Sequence, residues 1–142
     1  MSATPLAALA RTTDPRTMLR RFLAADAAVT GANGLAYLVA AGPLGRFLGV
    51  GAGLLAALGA FLTVYAAAVA LLAARGRPPA WAVTAVVEAN LAWALLSLVA
   101  LALWLGPSTA GAVWTVLQAL TVAGFAAAQY TALRAADDRP AA

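Results

Sequence analysis

The chain has 142 residues, of which 64% are hydrophobic and 10% are charged, and its mean hydropathy is +0.89. Soluble globular domains are about 25% charged, so this composition excludes a water-soluble fold and indicates an integral membrane protein. The formal net charge is +4. The arginines lie at the ends of apolar segments and form no basic stripe, which excludes a nucleic-acid partner. Cysteine and histidine are absent, so disulfides, thiolate or imidazole metal sites and a histidine base are excluded.

The first apolar segment follows a short polar leader. Residues 1–17 are rich in threonine, proline and arginine and are predicted to be a disordered cytosolic leader. The charge-free run 27–45 predicts a first transmembrane helix near residues 19–41, which a Gly-Pro pair ends. A cleaved signal peptide is the alternative, because two arginines precede the apolar run. The length of that run and its polar residues favour a retained helix.

Three further transmembrane helices follow in the sequence. The charge-free run 47–74 predicts a second helix near residues 51–74. The next run, 89–133, is too long for one crossing, since about 20 residues span the hydrocarbon core. A Gly-Pro-Ser sequence at 106–108 divides it, because it supplies a helix stop, a fixed φ and a capping hydroxyl. The third helix, the fourth helix and the cytosolic tail are predicted at residues 79–105, 108–134 and 135–142.

The arginines predict the orientation of this all-α bundle of four transmembrane helices, which occupies residues 18–134. Eight of the nine lie before the first helix, in the second loop or after the last helix, and only Arg46 lies in the first loop. Since positively charged loops stay in the cytoplasm, both termini are predicted to be cytoplasmic (N-in, C-in). Trp81 and Trp104, near opposite ends of the third helix, fit the two membrane interfaces. The expected location is the bacterial cytoplasmic (inner) membrane, where the multi-pass chain contacts the lipid bilayer.

Polar side chains within the spans repeat at helical spacing. Because lipid offers them no hydrogen-bond partner, they are predicted to face the interior of the bundle. The second helix instead carries rows of alanines at every fourth position, which predict close helix packing. The predicted inward faces are Asp26, Thr30, Asn33 and Tyr37 in the first helix, Thr84 with Glu88 and Asn90 with Ser97 in the third, and Trp114, Gln118, Thr121, Phe125 and Gln129 in the fourth.

At a rise of about 1.5 Å per residue, these side chains form two layers. The shallow, cytoplasmic layer holds Asp26 and Gln129, and an ion pair between Asp26 and an arginine is expected there. The deeper layer holds Asn33, Glu88 and Gln118, joined by interhelical hydrogen bonds. Glu88 needs a partner or a purpose, because an ionisable side chain at membrane depth costs about 2.5–3.5 kcal/mol on insertion scales. It is predicted either to be neutral and hydrogen-bonded to Asn33 or Gln118, or to bind a proton or a cation.

The sequence contains no catalytic constellation. Asp26 and Glu88 fall in different layers and do not form a catalytic pair, and no glycine-rich phosphate loop is present. An enzyme, a cofactor and a metal site are therefore not expected. The candidate proton or substrate site comprises Glu88, Asn33, Gln118 and Asp26, with Thr30, Tyr37, Asn90, Thr121 and Gln129 as supporting polar residues.

Four short segments of the chain carry a resemblance: LRRFLAAD at 19–26, GPL at 42–44, EANLAW at 88–93 and QY at 129–130. Together they resemble an uncharacterised bacterial, actinobacterial-type family of small four-helix integral membrane proteins. The resemblance covers about residues 18–134 and implies the same four-helix fold, but it implies no activity. A weak likeness between the two halves of the chain leaves a parallel duplication and chance both open.

The sequence predicts an integral inner-membrane protein that acts as an interaction or accessory subunit, and it specifies no biochemical activity. The alternative is a dimeric proton-coupled small-molecule transporter that uses a membrane-embedded carboxylate. A homodimer or a larger membrane protein is the expected partner, since four short helices rarely enclose a pathway alone. An accessory protein should tolerate loss of the carboxyl group where packing is kept, and a transporter should not.

Overall fold

The computed structural model describes residues 14–139, and this part of the chain folds into five α-helices. Four of them are long and apolar enough to cross a membrane. Residues 1–13 of the predicted leader (1–17) lie outside the described residues. The last three residues of the leader belong to the first helix. The helices are α1 (Pro15–Val39), α2 (Ala41–Leu48), α3 (Ala52–Ala74), α4 (Ala80–Leu103) and α5 (Thr109–Asp137).

Local sequence accounts for where α1 and α5 begin. The Asp14 side chain accepts a hydrogen bond from the Thr17 backbone N–H, and Pro15 occupies the first helical turn, where a missing N–H costs nothing. Ser108 caps α5 as predicted, since its Oγ accepts from the Gly111 N–H at 3.1 Å. The same hydroxyl donates to the Phe47 carbonyl oxygen at 2.8 Å, which ties the start of α5 to the end of α2.

The short helix α2 corrects the sequence-based interpretation, which read this segment as a loop. Pro43 is the third residue of α2, and its N–H would lie among the first-turn groups that have no partner within a helix. Proline is therefore compatible with this helix start. The helix ends at Gly49, whose φ of +71° is a left-handed conformation that glycine adopts without strain.

The long helices form an open arrangement in which α1 packs on α3, α5 packs on α1, and α4 packs on α5. Two glycines permit the close crossing of α1 and α3. A Cβ at Gly34 would lie 2.8 Å from the Thr63 backbone nitrogen, and a Cβ at Gly59 would lie 2.7 Å from the Gly34 carbonyl oxygen. Of the predicted alanine rows of α3, Ala66 takes part in this packing, since it is buried and a Cβ at Gly31 of α1 would lie 3.3 Å from its Cβ, whereas Ala52, Ala60, Ala70 and Ala74 are exposed.

Helices α3 and α4 follow one another in the chain but approach each other only slightly. A stack of aromatic rings bridges the gap between them. The Phe61 ring of α3 lies 5.8 Å from the Trp93 ring of α4, and it also stacks on Tyr65 at 6.2 Å. The bundle is therefore tightly packed along α1 and α3, and it is loose where α3 faces α4.

Candidate functional site: a buried carboxylate beside a cavity

Asp26 is fully buried in the centre of the bundle, with none of its surface exposed. Its Oδ2 accepts hydrogen bonds from Asn90 Nδ2 at 2.7 Å and from Gln129 Nε2 at 2.8 Å. Its Oδ1 accepts from the Thr30 hydroxyl, one turn further along α1, at 3.0 Å. Residues from α1, α4 and α5 therefore meet on a single carboxylate, and α3 joins them through Tyr65.

Asn90 connects all four long helices. Its Nδ2 also lies 3.3 Å from Gln129 Oε1, and its Oδ1 accepts from the Tyr65 hydroxyl at 3.0 Å. The orientation of both amides follows from these contacts, because a carboxylate can only accept hydrogen bonds. We call Asp26, Thr30, Tyr65, Asn90 and Gln129 the polar layer.

The polar layer holds a carboxylate without a cation. Within residues 14–139, the hydrogen-bond partners of Asp26 are the neutral side chains of Thr30, Asn90 and Gln129, so the predicted ion pair with an arginine is wrong. Arg20, on the same helix, instead donates to the Ala73 carbonyl oxygen at the end of α3. Side chains from three positions, Thr30, Asn90 and Gln129, therefore converge on the two carboxyl oxygens of Asp26. A buried charge is costly unless an opposite charge compensates it.

A cavity of about 670 Å³ adjoins the polar layer. Thr30, Tyr65 and Asn90 form its polar end, while its walls are largely apolar. Several of the residues that border it are exposed, Val29 on α1 and Phe61 on α3 among them, so the cavity opens toward the surroundings of the helices. Cavities of this size hold drug-sized molecules in other proteins.

The predicted deeper residues Asn33 and Gln118 line this cavity, as does Thr121. The hydroxyl of Thr121 donates to the Leu117 carbonyl oxygen of its own helix, so it makes no hydrogen bond to another helix. Gln118 also borders a second cavity of about 310 Å³, which lies further from the polar layer and shares Trp93 and Trp114 with the first.

Tyr37 and Trp114 form a second polar contact between α1 and α5. The indole Nε1 of Trp114 donates to the Tyr37 hydroxyl oxygen at 2.6 Å, and Tyr37 is buried. Both residues were predicted to face inward. Together with the bond between Asp26 and Gln129, this contact fixes the register of α1 against α5 at two depths.

Glu88 does not lie in the site. It is exposed on the outer surface of the bundle, as is Thr84 one turn before it, so the predicted inward direction of this pair is wrong. Asn90 follows Glu88 by two positions, which places the two side chains about 200° apart on a helix. Asn90 takes the inward direction because it makes hydrogen bonds to three other helices. The predicted contact of Glu88 with Asn33 or Gln118 is therefore not formed.

Sequence reasoning missed Tyr65, the contribution of α3 to the polar layer. Its hydroxyl donates to Asn90 and lies 3.4 Å from the Val86 carbonyl oxygen. The available signal was that Tyr65 and Thr63 are the only polar side chains of an otherwise apolar helix. A buried tyrosine hydroxyl needs a partner, and in a lipid environment that partner must come from another helix.

Comparison with known proteins assigns no family to the chain, because no family model, curated protein or solved structure matches it. The resemblance to a bacterial four-helix membrane family stays a prediction from short segments. The class that the described residues define is a helical bundle with four candidate membrane-spanning helices.

Proposed function

We propose that this protein binds a small lipophilic cation in the cavity beside Asp26. The observation that carries the proposal is the fully buried carboxylate, whose partners within residues 14–139 are all neutral. A ligand at the polar end of the cavity would contact Thr30 and Asn90, which touch Asp26 directly. Its positive charge would compensate the buried negative charge in a medium of low dielectric constant.

The cavity walls support the same ligand class. Phe61, Tyr65, Trp93 and Trp114 all border the cavity, and aromatic faces attract cations. No arginine, aspartate or glutamate lines it within the described part of the chain. An apolar body would fit the walls, and a ligand could enter from the lipid phase where the cavity opens between helices.

The test measures binding of tetraphenylphosphonium to the purified protein through the quenching of the fluorescence of the cavity tryptophans. We expect Asp26→Asn to weaken binding by about tenfold or more, since removing one partner of a buried charge pair costs about 2–5 kcal/mol. Glu88→Gln is the matched control, because it removes a carboxylate outside the cavity and should leave the affinity unchanged. Thermal unfolding must show both variants to be folded. Equal binding by Asp26→Asn and the parent would contradict the proposal.

Asp26→Asn also removes an acceptor that two amides share, so a second variant is needed. Thr30→Val leaves both amide bonds of Asp26 intact and removes the hydroxyl at the cavity's polar end. It should weaken tetraphenylphosphonium binding moderately while the fold persists. If Asp26→Asn does not fold, the two single variants Thr30→Val and Tyr65→Phe decide the matter. An unchanged affinity for tetraphenylphosphonium in both of them would contradict the proposal.

Proton-coupled transport is the activity that such a site would support. One buried carboxylate can hold either a proton or the charge of a cationic ligand, so binding of one displaces the other. In vesicles with a pH gradient, the parent protein should move tetraphenylphosphonium and Asp26→Asn should not. An enzymatic activity is not proposed.

A second candidate function is that of an accessory subunit in a larger membrane assembly. The exposed position of Glu88 favours it, because a carboxylate that faces lipid gains from a partner helix. Affinity purification from native membranes in mild detergent tests this candidate: a stoichiometric second protein that Glu88→Leu loses would support it.

The setting we propose is the bacterial inner membrane, with both termini in the cytoplasm. The support is the arginine distribution and the exposure of Trp81 and Trp104 at opposite ends of α4. In that orientation Asp26 and Gln129 lie in the cytoplasmic half of the bundle, and the second cavity lies toward the outer side.

A further inference from the structure

Glu88 lacks a partner within the described part of the chain, although it lies far from either end of its helix. It follows the start of α4 by eight residues, or about 12 Å along the axis. At that depth a carboxylate that faces lipid is costly. Because Glu88 is exposed on the outside of the bundle, a contact with another molecule can remove this cost.

The same outer side carries donors on α5. Tyr130 is 50% exposed, and the guanidinium carbon of Arg134 lies 5.9 Å from the centre of its ring. Tyr130 is four residues from Ala126 and three from Leu133, which both pack in one hydrophobic cluster with valines of α4. Around α5, Tyr130 and Arg134 lie on one side of Gln129, which is hydrogen-bonded to Asn90 of α4, and the cavity residues Trp114 and Thr121 lie on the other side.

Glu88 lies on the matching side of α4. Trp93, whose ring stacks on Phe61, marks the side of α4 toward α3. Glu88 shares the other part of the outer surface with exposed residues at helical spacing, among them Leu91 and Leu95. We call Thr84, Glu88, Leu91, Leu95, Tyr130 and Arg134 the outer face of α4 and α5.

Acceptor and donors also lie at one depth. Asn90 and Gln129 are hydrogen-bonded across α4 and α5. Glu88 precedes Asn90 by two residues and Tyr130 follows Gln129 by one. Because the two helices are antiparallel, both steps lead toward the same end of the bundle, by about 3 Å and 1.5 Å. Arg134 lies one further turn along, within reach of a long side chain.

We propose that two copies of this protein form a symmetric dimer through the outer face of α4 and α5. In this dimer Glu88 of each copy accepts a hydrogen bond from Tyr130 and pairs with Arg134 of the other copy. A two-fold axis along the membrane normal keeps every residue at its own depth, so both pairs form at once. The apolar side chains of Leu91 and Leu95 fill the contact. This proposal is independent of ligand binding in the cavity.

The association is measured by energy transfer between copies in phosphatidylethanolamine and phosphatidylglycerol vesicles. The chain has no cysteine, so Ala135→Cys supplies a single labelling site. We expect Glu88→Leu to weaken association about 10- to 100-fold, because symmetry removes two interhelical polar contacts together. Leu35→Ala, an exposed change on α1, is the matched control and should have no effect. Thermal unfolding of each variant in detergent checks the fold.

Exchanging the charges of Glu88 and Arg134 tests whether these two residues pair between two copies or within one chain. Glu88→Arg alone and Arg134→Glu alone should each fail to dimerise, since like charges would then face each other. Mixed in one vesicle, the two variants should associate, because each contact again joins opposite charges. A monomeric parent protein, an unaffected Glu88→Leu variant or a mixture that does not associate would each show the proposal to be wrong.

Discussion

The Asp26 carboxylate oxygen lies 2.8 Å from the side-chain nitrogen of Gln129, and 103 positions separate the two residues in the chain. This bond joins the first helix to the last. Both side chains are fully buried, so water cannot replace either partner when the bond is lost. The polar layer therefore fixes the order and register of the helices, whose remaining contacts are mostly apolar.

Gln129→Leu should lower the free energy of unfolding by about 1–3 kcal/mol, because the Asp26 carboxylate loses one of its two amide donors while staying buried. Gln118→Leu is the matched control. That residue borders both cavities and is only half-buried, so its replacement should cost about 1 kcal/mol or less. Denaturant titration in mild detergent measures both values. Equal losses would mean that the polar layer contributes nothing beyond an ordinary interhelical contact.

Asn90→Asp should destabilise the bundle more than Asn90→Ala. The aspartate variant would place a second carboxylate where Nδ2 now lies, 2.7 Å from Asp26 Oδ2. Two like charges at that distance cannot both be ionised in a buried site, so the variant must take up a proton or lose the packing around it. The observable is a loss of stability that grows as the pH rises. A stability that does not depend on pH would contradict this account.

Gly34→Ala should destabilise the crossing of α1 and α3 by about 1–3 kcal/mol, because the added methyl group meets backbone atoms that cannot move aside locally. Gly124 in α5 provides the control, since a Cβ there meets nothing within 4 Å. Gly124→Ala should leave the stability unchanged or raise it by up to about 1 kcal/mol. Thermal unfolding of the two variants beside the parent separates steric overlap from helix propensity.

Much of the fold could be predicted from the sequence, because charge-free length and Gly-Pro signals are local properties. Four long apolar helices, the capping role of Ser108 and the inward direction of Asp26 and Gln129 all follow from such signals. The short helix α2 could not be predicted in this way, since the proline in its first turn also fits a loop.

The candidate site was only partly predictable, for a physical reason. Hydropathy marks Glu88 as the costly residue, but it does not tell which of two polar lines on one helix faces inward. That choice depends on partners from distant parts of the chain, such as Asp26, which Asn90 can reach and Glu88 cannot. Tyr65 was missed for the same reason: its role depends on Asn90, 25 positions away.

Topology is checked by labelling from outside the cell. Reporter fusions at both termini should be cytoplasmic, because eight of nine arginines lie near the termini or in the second loop, and positively charged segments are retained in the cytoplasm. Cysteines introduced at Arg46 in α2 and at Ser108 before α5 should react with an impermeant reagent, since the proposed orientation places both at the outer end of the bundle. A C-terminus that is labelled from outside would overturn the four-span arrangement, whereas labelling at Arg46 alone would point to a different path after α3.

The start of α1 should respond to acid. The Thr17 hydroxyl, which donates to Asp14 Oδ2 at 2.7 Å, and the Thr17 backbone N–H hold the pKa of the Asp14 carboxyl below its ordinary value of 3.8. A carboxyl group whose pKa is lower in the folded state stabilises that state fully above the ordinary value, and its contribution is lost as the pH falls through the lowered pKa. Hydrogen exchange at the amides of Arg16 to Met18 should therefore stay slow from neutral pH to about pH 4, relative to the rates intrinsic at each pH, and become faster below that.

Asp14→Ala should show fast exchange at these amides at every pH, while Asp14→Asn, which keeps an accepting oxygen, should remain largely protected and lose the pH dependence. An acid-induced change that persists in Asp14→Asn would assign the effect to another group.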